Sequence, residues 1–420
     1  MIRTRIARYA AAASVAVLAA AGTAGAQRNA TSFSPPLARR ADVRAALAVL
    51  ERDFPQHLRE WVRLTEIPAP SRHEQARAAY LREQMQAAGL EVTTDSIGNV
   101  TGRRKGTGGG PTVVIATHMD TVHPVETDVH VRQSGDTLRA PGVFDNTASL
   151  ADALAVVRAM NEAHVQTRGD LLFVATVQEE LGLKGMDWWL AHNPGRAQMV
   201  VAMDGGLGPV NYGALGIYWT RYHFTGEGSH TNTSAGKPSP ARGLADAIRS
   251  IYEIRIPDGQ GGAVYNVGIL AGGQVFNAIA QDVSFTMDLR SVNPALLDSL
   301  DREIDARVAA AARGQRVGWS KDSVVRNAAG GTEAMLRDRR AHPIVQTALD
   351  VQQHLGIAGA AEATGSTDAN MAVVRRIPAI AVGRAIGGGQ HTLGEWALAS
   401  TALPASRMLL LLVTSLAGVR

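Results

Sequence analysis

Three short apolar runs constrain this chain most, those inside PTVVIATHMDTV, GDLLFVATVQEE and AQMVVAMDGG. Each is rich in β-branched residues and breaks off at histidine or acidic side chains. Such runs read as strands buried on both faces, because a half-exposed strand would alternate apolar with polar. Between the first two lies DNTASLADALAVVRAMNEA, with apolar residues three and four apart, the spacing of a helix. Helical patterns also cover roughly 41–64 and 73–89, EVTTDSIGNVTGRR alternates like a strand, and HPIVQTALDVQQHLG precedes the strand-like IPAIAVG. Strands alternating with helices predict an α/β fold with a mostly parallel, mixed sheet flanked by helices.

From residue 215 to 330 the pattern changes to strand, helix, strand, strand, helix, strand. That order predicts a small α+β unit of the ferredoxin-like kind. The α/β theme then resumes. The simplest organisation is a catalytic domain over 41–214 and 331–420, with a lid or dimerisation domain over 215–330 inserted in it.

The first 26 residues read differently. Arg3, Arg5 and Arg8 precede a short apolar run that ends in Ala24-Gly25-Ala26. This pattern predicts a cleaved signal peptide and export to the periplasm or the exterior. A Ser/Pro-rich linker is expected over 27–40. Without the leader the formal charge falls from +4 to +1, so charge says little about partners. The basic trio Arg103-Arg104-Lys105 is too small for a nucleic-acid surface, and none is expected. No membrane span is expected either; the C-terminal LLLLVTSLAGV is short and reads as a core helix. Cysteine is absent, which excludes disulfides, thiolate nucleophiles and sulfur-based zinc sites.

Chemistry concentrates where the apolar runs end. His118 and Asp120 follow VVIAT; Asp145 opens a helix after a glycine-containing loop; Glu179 and Glu180 follow LLFVATV; Asp204 follows VVAM; His391 follows AVGRAIGGGQ. In open α/β sheets, ligands bind beyond the carboxyl ends of the strands. Imidazoles and carboxylates without sulfur suit zinc, and also manganese or cobalt. Their number fits two divalent ions sharing a carboxylate. The adjacent glutamates then divide the work, Glu180 as ligand and Glu179 as the base that moves a proton, their opposed directions on an extended segment serving different partners.

HMDTV, GVFDNTAS, VQEELGLKG, VAMDGG, GSH, GSTDAN and QHTLGEW stand in the order found in one family. The chain resembles the co-catalytic zinc exopeptidases and deacylases that include aminoacylase, glutamate carboxypeptidase, peptidase T and acetylornithine deacetylase. The resemblance implies hydrolysis of an amide bond in a small peptide or, alternatively, an N-acyl amino acid; an inactive relative serving as a binding protein is a third reading. It implies that Asp145 bridges two ions, with His118 and Asp204 on one and Glu180 and His391 on the other. Asp120 would hydrogen-bond the His118 imidazole, and Glu179 would be general base. His230 would polarise the scissile carbonyl, often from the partner subunit of a homodimer, against a plain reading as a surface-loop histidine. Asn277 and Arg290 would hold the substrate's carboxylate or backbone, though Arg290 could simply pair with Asp288. Glu395 is expected to orient His391 or to cap a helix, and His123 to be a mere neighbour. The chain departs from the family at Asn146, where many relatives carry a second acid, at Ala280, where a proline is lost, and at Gln390. Core packing is expected for Trp188, Trp189 and Trp396.

Overall fold

The computed structural model describes residues 30–256 and 262–420, so the leader expected over 1–26 lies outside the described residues. The largest sheet among the described residues has eight strands. At its centre Leu171–Thr176, Val113–His118, Met199–Met203 and Ala379–Val382 lie side by side and parallel. The antiparallel pair Glu91–Thr94 and Val100–Arg104 extends one edge, and Pro209–Asn211 with Ala360–Glu362 extends the other.

Both faces of the central strands are covered, as their unbroken apolar character requires. Val113, Ile115, Phe173, Ala175 and Val201 point into one core, while Val114, Ala116, Leu172, Val174 and Val200 point into a second core on the opposite face. Burying each of the larger side chains is worth roughly 1.5–3 kcal/mol. The first core is roofed by the helices Thr147–Glu162 and Ala402–Ala417, the second by Lys184–His192 and Ala369–Val374.

Residues 216–327 build a separate four-stranded antiparallel sheet in the order Ala263–Gly272, Asp282–Ser291, Gly216–Thr225, Gly318–Asn327. The helices Pro240–Ile251 and Pro294–Gln315 pack on it around Tyr222, Phe224, Phe285, Leu300 and Ile304.

Three expectations need correction. The helix foreseen over 41–64 is two helices, Ala41–Arg52 and Phe54–Thr65, because Pro55 lacks an amide hydrogen and is tolerated only in a first turn. The expected linker is structured where it is described: Pro35–Arg39 is helical, with Phe33 and Ala38 buried in the main core. The apolar C-terminal segment is longer than LLLLVTSLAGV suggests. Ala399–Ala417 has the length and composition of a membrane span, yet it is mostly buried within the protein and packs against the helix Thr147–Glu162.

Candidate metal centre

Four parallel strands end at one edge of the sheet, and each delivers an ionisable side chain there. His118 is the last residue of its strand. Asp204 follows Met203 directly, and Arg384 stands two residues past Val382. Glu179 and Glu180 come after a turn, not on an extended strand: the strand ends at Thr176, and Gln178 takes the left-handed φ of 52°. Strand alternation therefore does not govern them, and both carboxylates face the same cavity. Asp145 arrives from the loop before the helix Thr147–Glu162, through a cis peptide to Asn146. His391 returns on the loop after Gly387–Gly388.

The expected ligand residues come together around Asp145. Its Oδ1 lies 3.1 Å from His118 Nε2, which is also 3.9 Å from Asp204 Oδ2. Its Oδ2 lies 3.4 Å from His391 Nε2, which is 3.2 Å from Glu180 Oε1. Donor atoms of His118, Asp145 and Glu180 all fall within 4.8 Å of one another. One carboxylate thus joins two donor sets, each with one imidazole and further carboxylate oxygen. This sulfur-free set fits two divalent ions of the zinc, manganese or cobalt kind. The donors line a cavity of about 390 Å³ together with Glu179.

The surrounding hydrogen bonds hold these side chains in place. Asp120 serves the glutamate turn more than the imidazole. Its carboxylate accepts from Ser71 Oγ at 2.6 Å and from the amides of Glu179 and Glu180 at 3.0 and 3.2 Å. His118 Nδ1 lies nearer the Asp120 main-chain oxygen, at 3.1 Å, than its Oδ1, at 3.6 Å. Glu395 neither orients His391 nor caps a helix. It is fully buried and accepts from the amides of Gly142, Phe144 and Asp145 at 2.7–2.9 Å, clamping the loop that presents the shared aspartate. Trp61 braces the same loop by donating to the Val143 carbonyl at 2.6 Å. Asn146, in place of a second acid, donates to the Met203 carbonyl at 2.9 Å and ties the loop to the Asp204 strand. His123 is buried with Nε2 3.9 Å from Glu395.

Charges this close tune one another. Burial pulls the His118 imidazole down, but Glu179, Asp120 and Asp145 outweigh it and hold it well above its ordinary value. Hydrogen bonds to Asp145 and Glu180 raise His391 to about 10. Asp145 stays well below the usual carboxylate range because Arg384 and the two histidines overcome its burial. Glu179 is pushed well above that range by burial, with Asp204, Glu180 and Asp368 adding to the push against the pull of His118. Asp368 is likewise raised by burial, to about 7. It accepts from Thr176 Oγ1 at 2.5 Å, and its Oδ1 has no hydrogen-bond partner among the described residues.

Not every expected residue joins the cluster. His230 and Asn277 meet each other, 3.4 Å apart, on an exposed part of the inserted unit that does not line the cavity. Arg290 does line it, with Nε against Asp288 at 3.0 Å. Trp189 is core, and Trp188 stacks on His192; the tryptophan that reaches the cavity is Trp219. Arg384 and Asp368 are absent from the sequence-based candidates. An arginine after a strand reads as a solvated end, and nothing local marks it as buried. GSTDAN did mark Asp368 as part of a motif, without a role.

Residues 114–415 match the model of the peptidase family M20/M25/M40. An N-carbamoyl-L-amino-acid amidohydrolase from a Pseudomonas species is 24% identical over 298 residues, covering 57% of this chain and 68% of the relative. The aminopeptidase PepT from Bacillus cereus superposes with a TM-score of 0.69 at 19% identity, over 87% of this chain and 99% of the other. The dipeptidase Dug1p from Saccharomyces cerevisiae superposes with a TM-score of 0.73 at 13% identity, over 90% and 99%. At these identities the superpositions establish a shared fold.

Proposed function

Because the chain belongs to the peptidase family M20/M25/M40, we propose that it hydrolyses an amide bond in a small peptide with the help of two divalent ions. The observation that carries this reading is the division of Asp145, one oxygen toward His118 and the other toward His391. His118, Asp145 and Asp204 would hold one ion, and Asp145, Glu180 and His391 the other. Zinc is the ion we propose, the same donors also suiting manganese or cobalt. When bound, such ions supply Lewis-acid polarisation of a carbonyl and acidify water.

Glu179 is the proton carrier in this reading. It is 7% exposed, and burial holds its carboxyl above the ordinary carboxylate range, which favours taking up a proton. It takes the proton of the attacking water and delivers it to the departing nitrogen. The cleft wall offered by Leu183, Ile217, Trp219 and Val325 is apolar and suits an apolar substrate side chain, while Arg290 suits a carboxylate. His230 and Asn277 would act on a second copy's cleft in a homodimer. Export directed by the residue 1–26 leader belongs to the same proposal.

The similarity to an N-carbamoyl amino acid amidohydrolase favours a second reading, deacylation of N-acyl amino acids in the same cleft. A panel of di- and tripeptides beside N-acetyl and N-carbamoyl amino acids separates the two. The test of the shared core is Glu179→Gln with ion content measured by mass spectrometry. Turnover should fall about 10²–10⁴-fold, with both ions retained; undiminished turnover would remove Glu179 from the role.

A further inference from the structure

Arg384 contacts two of the expected ion ligands and has no assigned task. It is 1% exposed, and its guanidinium lies over the Phe144 ring at 4.2 Å. Nη1 donates to Asp204 Oδ1, and Nη2 is 3.1 Å from Asp145 Oδ1. Gly383 makes this approach feasible. A Cβ there would stand 1.9 Å from the Gly206 carbonyl oxygen, so only glycine lets the two strand ends come this close. The Arg384 amide then donates to the Gly205 carbonyl at 3.1 Å, beside Asp204.

The guanidinium is shared unequally between the two donor sets. Asp145 Oδ1, which it contacts, is the oxygen that also faces His118. Asp204 belongs to the same half. Glu180, by contrast, pairs with His391, whose Nε2 also faces Asp145 Oδ2, and no lysine or arginine forms an ion pair with Glu180 among the described residues. A divalent ion on the His118 side would therefore sit beside a permanent positive charge. That charge cannot be shed by losing a proton, and burial screens it poorly. Stacked on Phe144 and paired with both aspartates, it is held at the edge of the cavity.

We propose that Arg384 is a resident cation that ranks the two ion positions, weakening the His118–Asp145–Asp204 half relative to the Asp145–Glu180–His391 half, so that ions load in two separate steps. Arg384 also orients Asp204, and losing such a supporting partner commonly weakens an ion about 10–100-fold. Its charge and its hydrogen bond thus act in opposite directions. The charge dominates because it is fully buried and touches an oxygen that would itself bind the ion.

This inference rests on the two-ion reading above. The test is a titration of metal-free full-length protein with Zn²⁺ against a chromophoric chelator, and with Co²⁺ followed by its absorption spectrum. Two steps at least tenfold apart are expected. Asp204→Asn should abolish the weaker step and His391→Ala the tighter one. Arg384→Gln, which removes the charge but keeps a donor, should tighten the weaker step at least tenfold; Arg384→Lys should keep the separation. A reversed assignment in the Asp204 and His391 variants overturns the ranking, and it is read with Arg384 in place should its own variants not fold. An Arg384→Gln protein whose weaker step is unchanged or looser overturns the role of the charge. Binding of no divalent ion at all would overturn the two-ion reading along with this one.

Discussion

Asp368 shows how a single buried group can contribute to the pH response of the molecule. Burial raises its pKa to about 7, while an unfolded aspartate titrates near 3.9. Between those values the folded protein keeps a proton that the unfolded chain has lost, so stability attributable to this group is full at low pH and falls as pH rises through about 7. Asp368→Asn has no proton to lose. Its stability relative to wild type should therefore improve by on the order of 1–4 kcal/mol between pH 4 and pH 7.5, as read from urea melts of the metal-free proteins. A pH-independent difference would mean that Asp368 does not titrate in this window. GSTDAN was visible in the sequence, but a local pattern cannot report that the aspartate's Oδ1 has no hydrogen-bond partner among the described residues.

At the level of elements, the site depends on loops held by distant helices and turns. Glu395 gathers three amides of the Gly142–Asp145 loop from about 250 residues away, as the 251-residue separation from Phe144 illustrates. Glu395→Ala would leave those donors buried and unpaired, costing about 1–3 kcal/mol apiece at most. Because the same loop presents Asp145, both ion-binding steps should weaken together with the melting temperature; an unchanged zinc affinity would separate the clamp from the site. The C-terminal helix Ala402–Ala417 carries a different load. Leu410 is fully buried against the main core, so Leu410→Ala should cost about 2–5 kcal/mol in chemical denaturation, with the ion steps intact. That helix was legible from its apolar run, whereas the role of Glu395 was misread. A lone glutamate after a glycine loop has no periodic signature, and its partners are main-chain atoms.

For the whole molecule, the open question is how the inserted unit serves the cleft. Its edge strand Ala263–Gly272 exposes Val264, Ile269 and Leu270, and Val275 and Phe276 are exposed just beyond it. If a second copy covers this strip in the proposed homodimer, Leu270→Asp with Phe276→Ser should yield a monomer by analytical ultracentrifugation, and turnover should drop with it. A wild-type protein that sediments as a monomer at micromolar concentration would remove that arrangement, and with it the proposed use of His230 across the interface. The same scale shows where local reading stops. The strand–helix alternation, the acid and histidine ends of the apolar runs, and the change of pattern at 215 were all determined by the sequence alone, because burial periodicity and strand ends are short-range properties. Only the tertiary structure decided that Arg384 meets Asp204 across 180 residues, that Asp120 serves a turn more than an imidazole, and that Trp219 walls the cleft. Those contacts depend on which strand lies beside which, and that order is set by packing two cores on one sheet rather than by any stretch of the chain.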